Sequence, residues 1–155
     1  MKTKSLLLFY LLAVVFSCTT HHFSEFIDFG ENNRWQKSDV RVFEFEVSED
    51  SQVYNIEFRF SHVYDYQFAS IPINFSIESP DGKIENYTIE LAIRDNNGKE
   101  LADCSGDICD LFYRIKENKK LVKGIYKISV SHNFEGAEYL PNVIGIGLNV
   151  DREKK

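Results

Sequence analysis

The chain has 155 residues, with 18 Lys and Arg against 24 Asp and Glu and a formal net charge of −6. That surplus of carboxylates repels phosphate backbones and excludes nucleic acid as a partner class. Beyond the N-terminus, no apolar run approaches the ~20 residues that a membrane-spanning helix needs.

Lys2 and Lys4 form a short basic region ahead of an unbroken apolar stretch from Leu6 to Phe16. Its length, about eleven residues, falls within the ~7–15 of a signal-peptide core and short of a bilayer span. Ser17 and Cys18 follow at once. A small residue and then a cysteine resembles the lipobox, at which the chain is cleaved before a diacylglycerol-bearing cysteine. Residues 1–17 therefore read as a lipoprotein signal peptide and Cys18 as the lipidation site. Each buried methylene contributes ~0.8 kcal/mol, so two or three chains on one cysteine fix the protein to a membrane without any transmembrane helix.

Cleavage leaves 138 residues and removes Lys2 and Lys4, so that sixteen basic residues face 24 acidic ones, a balance of −8. The length suits one domain with a real core. No polybasic cluster is present to dock on acidic lipids.

Residues 18–34 mix polar and aromatic side chains without sustained period and read as a lipidated tether; the domain is expected over 35–151, with a charged tail at 152–155. From Trp35 onward the dominant signal is alternation. Phe43, Phe45 and Val47 alternate with Glu44 and Glu46, and Tyr54, Ile56, Phe58 and Phe60 with Asn55, Glu57 and Arg59. The pattern returns over Ile71–Ile77, Tyr87–Ile93, Tyr126–Val130 and Ile144–Val150. Apolar residues on one face and polar ones on the other describe a half-buried strand. Pro80-Asp81-Gly82 and Asp95-Asn96-Asn97-Gly98 supply turns between runs. Leu111–Lys120 fits helix or strand. Seven or eight short strands with such turns predict an all-β fold, a single antiparallel β-sandwich of jelly-roll or Ig-like type. Pro72 is expected on an edge or at a strand's start, because it lacks a ladder donor. Gly145 and Gly147 share one face of the last strand, where a backbone, a ring or a ligand is expected to approach closely, most simply something from the same domain.

Chemistry-bearing residues are few. Cys104 and Cys109 remain as an even pair around Ser105-Gly106, and export favours a disulfide between them. The loop is short, so its stabilisation is at most ~2 kcal/mol and its role is to pin a loop. Zinc is the weaker reading, because two cysteines lack partners at ligand spacing. Asp103, Ser105, Asp107 and Asp110 offer oxygen ligands for calcium but lack the spacing of an EF-hand loop. No metal or cofactor is expected. His21 and His22 sit in the tether, His62 and His132 at strand ends, and no nucleophile or zincin motif accompanies them. The chain is therefore read as a non-enzyme with no catalytic residue. Tyr64 and Tyr66, in a connection between two strands, are the candidate contacts for a sugar or protein partner, since such rings combine apolar area with a polar tip.

The order of these elements resembles the GldH-type gliding-motility lipoproteins of Bacteroidetes. The resemblance is carried by the lipid cysteine, Trp35, the Tyr54–Arg59 segment and Tyr64-Asp65-Tyr66. It continues through Ser79-Pro80-Asp81-Gly82, Lys123-Gly124-Ile125-Tyr126 and the Ile144–Leu148 strand. The chain departs from the family at Glu85–Thr88, at the Cys104–Cys109 loop and around His132–Glu138, the pattern of a divergent member. The resemblance implies a non-catalytic envelope module of the gliding or associated secretion machinery, with envelope protein partners. A carbohydrate-binding lipoprotein is the alternative. The expected location is the outer membrane, on its periplasmic side. In such a protein the sequons Asn74-Phe75-Ser76 and Asn86-Tyr87-Thr88 are coincidental.

Overall fold

The computed structural model describes residues 22–153, so the signal peptide and Cys18 lie outside the described residues. Strands are β1 (Phe23–Asp28), β2 (Arg34–Gln36), β3 (Arg41–Val47), β4 (Gln52–Val63), β5 (Ser70–Glu78) and β6 (Ile84–Ala92). They continue as β7 (Asp103–Ser105), β8 (Ile108–Leu121), β9 (Gly124–His132), β10 (Tyr139–Pro141) and β11 (Val143–Arg152). The described residues contain no helix, and the ambiguous Leu111–Lys120 stretch is the body of β8.

One sheet runs in the order β1-β11-β4-β8-β7 and the facing sheet β3-β9-β5-β6, with β2 and β10 as a small separate pair. All pairings are antiparallel. With the three-residue strands set aside, the chain crosses from sheet to sheet at every step except β5 to β6. That is the winding of a double-sheet jelly roll. Within the sandwich class expected from sequence, the strand order thus selects the jelly roll over the Ig-like alternative.

The alternating runs place their apolar phase between the sheets. Phe43, Ile56, Phe58, Phe60, Ile71, Ile73, Ile128, Ile146, Leu148 and Val150 are all buried there. Burying such a side chain contributes ~1.5–3 kcal/mol. Phe58 of one sheet meets Phe75 of the other edge to face at 5.3 Å, so the sheets interdigitate as well as cover each other. Trp35 on β2 closes the core between Phe29 and His132, at ring separations of 5.5 Å and 5.0 Å.

Two features differ from the sequence reading. The segment read as a tether already contains β1, which pairs with β11 from Phe23↔Val150 to Asp28↔Gly145. The fold therefore begins at Phe23, well before Trp35. Pro72 lies in β5, a central strand between β9 and β6. It is tolerated because β9 pairing starts one residue later, at Ile73↔His132. The Pro72 carbonyl accepts from the Asn133 amide at 3.2 Å on that side, which is also where an antiparallel residue's own N–H points. The missing donor thus falls just past the end of the ladder.

The registers sort the loops into two ends. Phe23, the β3–β4 turn, the Pro80-Asp81-Gly82 turn and the β8–β9 turn share one end. The β4–β5 connection, the β7–β8 hairpin tip, β2 and β10 share the other.

Candidate functional site

At the end remote from Phe23, the strands bring together most of the singled-out residues. Cys104 and Cys109 face each other across the β7–β8 hairpin and are bonded, with a Cα–Cα separation of 4.0 Å. Tyr64 donates its amide to the Asp107 carbonyl at 2.9 Å, which ties the β4–β5 connection to the hairpin tip. Tyr64 is 59 % exposed, whereas Tyr66 is only 1 % exposed. Of the two candidate contact residues, Tyr64 alone is presented to solvent. Tyr66 plugs the end of the core instead, its ring 5.0 Å from His62 and 5.7 Å from both Phe60 and Phe68. Burial pushes its phenol well above the ordinary tyrosine range.

His62 is fully buried; its Nδ1 bonds the Val63 carbonyl at 2.9 Å and its Nε2 lies 3.7 Å from Glu100 Oε1. His132 is also buried and bonds the Trp35 carbonyl. His22 reaches the Glu46 carbonyl at 2.9 Å, and its ring meets Tyr54 edge-on. These three histidines are thus engaged locally, while His21 lies outside the described residues. Within the acidic Asp103–Asp110 loop, Asp110 is taken by Arg59 and Ser61. Among the described residues no group of three or more His, Cys, Asp or Glu is placed to hold a metal.

The outward face of the β1-β11-β4-β8 sheet carries a second arrangement. Its registers align three rows across four strands: Asp28-Gly145-Ser61-Asp110, Phe26-Gly147-Arg59-Phe112 and Ser24-Asn149-Glu57-Arg114. The two glycines are explained here. A Cβ on Gly145 would stand 2.5 Å from the Phe26 ring and 2.4 Å from the Ile27 carbonyl oxygen; one on Gly147 would stand 3.2 Å from the same ring. The Phe26 ring therefore lies in a trough that only glycine leaves open. The Arg59 guanidinium covers the ring at 4.7 Å, a cation–π contact. It is fixed by a bidentate pair to Asp110, Nε–Oδ1 2.9 Å and Nη2–Oδ2 2.7 Å, while Ser61 Oγ donates to the same carboxylate. Burial pushes the Asp110 carboxyl up, but the hydrogen bonds from Arg59 and Ser61 and the Arg59 charge outweigh it and hold it below the usual range. Beside this row runs a groove of about 410 Å³ lined by Ser24, Glu57, Arg59, Phe112 and Asn149. The row is not legible in the sequence, because register across distant strands makes it. The paired glycines were its only signal, and they marked the place without naming the ring.

On the opposite sheet, the two sequons are cross-strand neighbours, Asn74↔Thr88 and Ser76↔Asn86. Thr88 Oγ1 donates to Asn74 Oδ1 at 2.7 Å. With Ser129 and Ser131 they line a groove of about 380 Å³.

The chain is similar to two lipoproteins along most of its length. It is 24% identical over 127 residues to a gliding motility lipoprotein GldH homolog of Christiangramia forsetii, covering 77% of this chain and 78% of that one. It is 26% identical over 152 residues to the gliding motility lipoprotein GldH of Flavobacterium johnsoniae, covering 92% and 94%. Among solved structures, a module in complex with β-1,4-galactotriose aligns over 77% of this chain and 69% of that chain, at 17% identity and a TM-score of 0.34, too low to carry an argument. The sequence pattern of the GldH lipoprotein family matches residues 21–150, which is nearly the whole described fold. The chain belongs to the GldH lipoprotein family.

Proposed function

We propose that this protein is an acylated envelope lipoprotein whose jelly roll is a non-catalytic assembly module of the gliding or associated secretion machinery. In this reading Cys18 carries the lipid, at the outer membrane on its periplasmic side, and the partners are envelope proteins. The supporting observation is the family match over the full domain, together with the position of β1. Four residues lie between Cys18 and Phe23, and the five Cα–Cα steps of an extended chain reach at most ~17 Å over that distance. The domain is therefore held close to the lipid surface, with its Phe23 end inward and the Tyr64 and disulfide end outward. Confinement of this kind raises the effective concentration of the outward end near partners in the same envelope.

The test is fractionation and crosslinking of the tagged full-length protein in its native envelope, with Cys18→Ala alongside. Loss of membrane association in Cys18→Ala, with gliding or secretion proteins crosslinked only when Cys18 is intact, supports the reading. A Cys18→Ala protein that stays wholly in the membrane fraction overturns the anchor. An intact lipoprotein that crosslinks to no envelope protein overturns the assembly role.

A further inference from the structure

The three-row face of the β1-β11-β4-β8 sheet has a chemical pattern that neither anchoring nor assembly uses. Its middle row is planar and largely apolar: Phe26 (39 % exposed), the Arg59 guanidinium over it, and Phe112 (44 % exposed). The rows on either side carry hydrogen-bonding groups, Ser24, Asn149 and Glu57 on one side and Ser61 and Asp110 on the other. Side chains tie the face across its strands: Ser24 Oγ donates to Asn149 Oδ1 at 2.8 Å and Asp110 holds Arg59 at two atoms.

The charges around the groove are paired. Arg59 pairs with Asp110, and Arg114 lies 3.8 Å from Glu57. In a chain that is acidic overall, the groove itself, whose lining holds one carboxylate, Glu57, and one guanidinium, Arg59, selects neither cations nor anions. A ligand that fits must be neutral, must offer a flat apolar side to stack on Phe112, and must carry hydroxyls at its edge for the flanking row. A pyranose ring has all three properties. Its C–H face packs on an aromatic ring, and its equatorial hydroxyls bond a fixed carboxylate such as Glu57 and an amide such as Asn149. The groove of about 410 Å³ lies within the ~300–1,000 Å³ of small-ligand sites.

We propose that this groove binds a neutral oligosaccharide, with Phe112 as the stacking platform, Glu57 and Asn149 as hydroxyl partners, and Arg59 as the residue that braces the floor. The site stands on the sheet face, away from the Tyr64 end, and does not depend on the anchor.

The experiment is isothermal titration of the full-length lipoprotein in a detergent without a sugar headgroup. The probes are cellohexaose, maltohexaose, mannohexaose and chitohexaose, the last separating N-acetylated from plain hexose chains. At least one probe is expected to bind. Phe112→Ala and Glu57→Gln should each weaken it at least fivefold, while Tyr64→Ala and Cys18→Ala leave it unchanged. Both Phe112 and Glu57 reach solvent, and retention of the wild-type circular dichroism spectrum separates lost binding from lost fold. Three outcomes overturn the proposal. They are no heat with any probe, binding weakened by Tyr64→Ala but not by Phe112→Ala, and capture of an envelope protein that Phe112→Ala abolishes in the absence of sugar binding. The last would make the face a protein interface. Loss of membrane attachment by Cys18→Ala with sugar binding retained separates this site from the anchor reading.

Discussion

His132 at the end of β9 donates from Nε2 to the Trp35 carbonyl across 3.0 Å, joining residues 97 apart in the chain. Its Nδ1 accepts from the Phe134 amide at 3.3 Å, so both ring nitrogens are used by the neutral form with its proton on Nε2. Burial holds this imidazole below its ordinary value of 6.5 and Lys37 adds to the effect, while the bonds to Trp35 and Gln36 oppose it. Below pH 6.5 the unfolded chain binds a proton here that the folded chain resists. Stability is therefore complete above 6.5 and declines as pH falls below it. His132→Ala is expected to cost about 1–3 kcal/mol at pH 7.5 through the lost bonds and ring packing. It should also flatten the decline in urea midpoint between pH 6.5 and pH 5. An undiminished slope in the variant would assign the pH dependence to another group.

Gly145 and Gly147 serve the same trough at different cost. The Cβ of an alanine at 145 meets the Ile27 carbonyl oxygen at 2.4 Å, which is ladder backbone and cannot swing aside. At 147 the nearest atoms are the Glu25 oxygen at 3.0 Å and the movable Phe26 ring at 3.2 Å. Overpacking of this kind costs ~1–3 kcal/mol. Gly145→Ala should fall at the upper end of that range and Gly147→Ala at the lower, as read by urea unfolding. Adding Phe26→Ala to Gly145→Ala should recover little, because the backbone contact survives removal of the ring. Full recovery would show that the ring, and not β1's backbone, sets the limit.

The same trough explains what the sequence concealed. Strands β3 to β6 and β9 are legible because each has one wetter face and one drier one, and period-2 alternation records that difference; β11 shows the same period because Ile146, Leu148 and Val150 alternate with Gly145, Gly147 and Asn149. In β1 the inward Phe23 and Ile27 share the strand with the outward Phe26, which is packed on glycine. With apolar residues on both faces the alternation vanishes, and the strand looks like tether. Tyr66 was misleading for a related reason. It sits in a polar connection, yet the chain turns inward there, with Asp65 at a φ of 58°, and the ring enters the open end of the core. In β8 the register shifts near Lys116, opposite Ile56, which broke the alternation that would otherwise separate strand from helix. Of the candidate site, the cysteine pair and the glycines were visible. The row that joins Phe26, Arg59 and Phe112 was not, since it is made by register across strands far apart in the chain.

The disulfide closes a separation of only five residues, so its effect on global stability is small. Loop-closure entropy for so short a ring is at most ~2 kcal/mol. The Cys104→Ser, Cys109→Ser double variant should therefore fold, with a melting temperature lowered by a few degrees. The local effect should be larger, because the Tyr64 amide bonds Asp107 within the pinned tip. Hydrogen exchange is expected to quicken at Tyr64 and around residues 105–108 while β9 and β11 keep their protection. Uniform loss of protection across both sheets would show that the bond supports the whole fold.

Arg59 and Asp110 provide the test of how the sheet face is held. The folded Asp110 carboxyl lies below its ordinary 3.8, because the hydrogen bonds from Arg59 and Ser61 and the Arg59 charge exceed the burial that pushes it up. A depressed carboxyl contributes stability that is present above pH 3.8 and is lost as pH falls through that value toward the folded one. Both side chains are about a third to a quarter exposed, so solvent screening limits the pair to about 1 kcal/mol despite its bidentate geometry. Asp110→Asn should lower stability by roughly that amount at pH 7 and reduce the further loss on acidification below pH 4. Arg59→Lys keeps the charge but removes the planar fork that matches two carboxylate oxygens and covers the Phe26 ring. If geometry holds the pair, a double-mutant cycle in urea should show Arg59→Lys forfeiting most of the coupling to Asp110. If charge alone holds it, Lys at this position should retain the coupling in full.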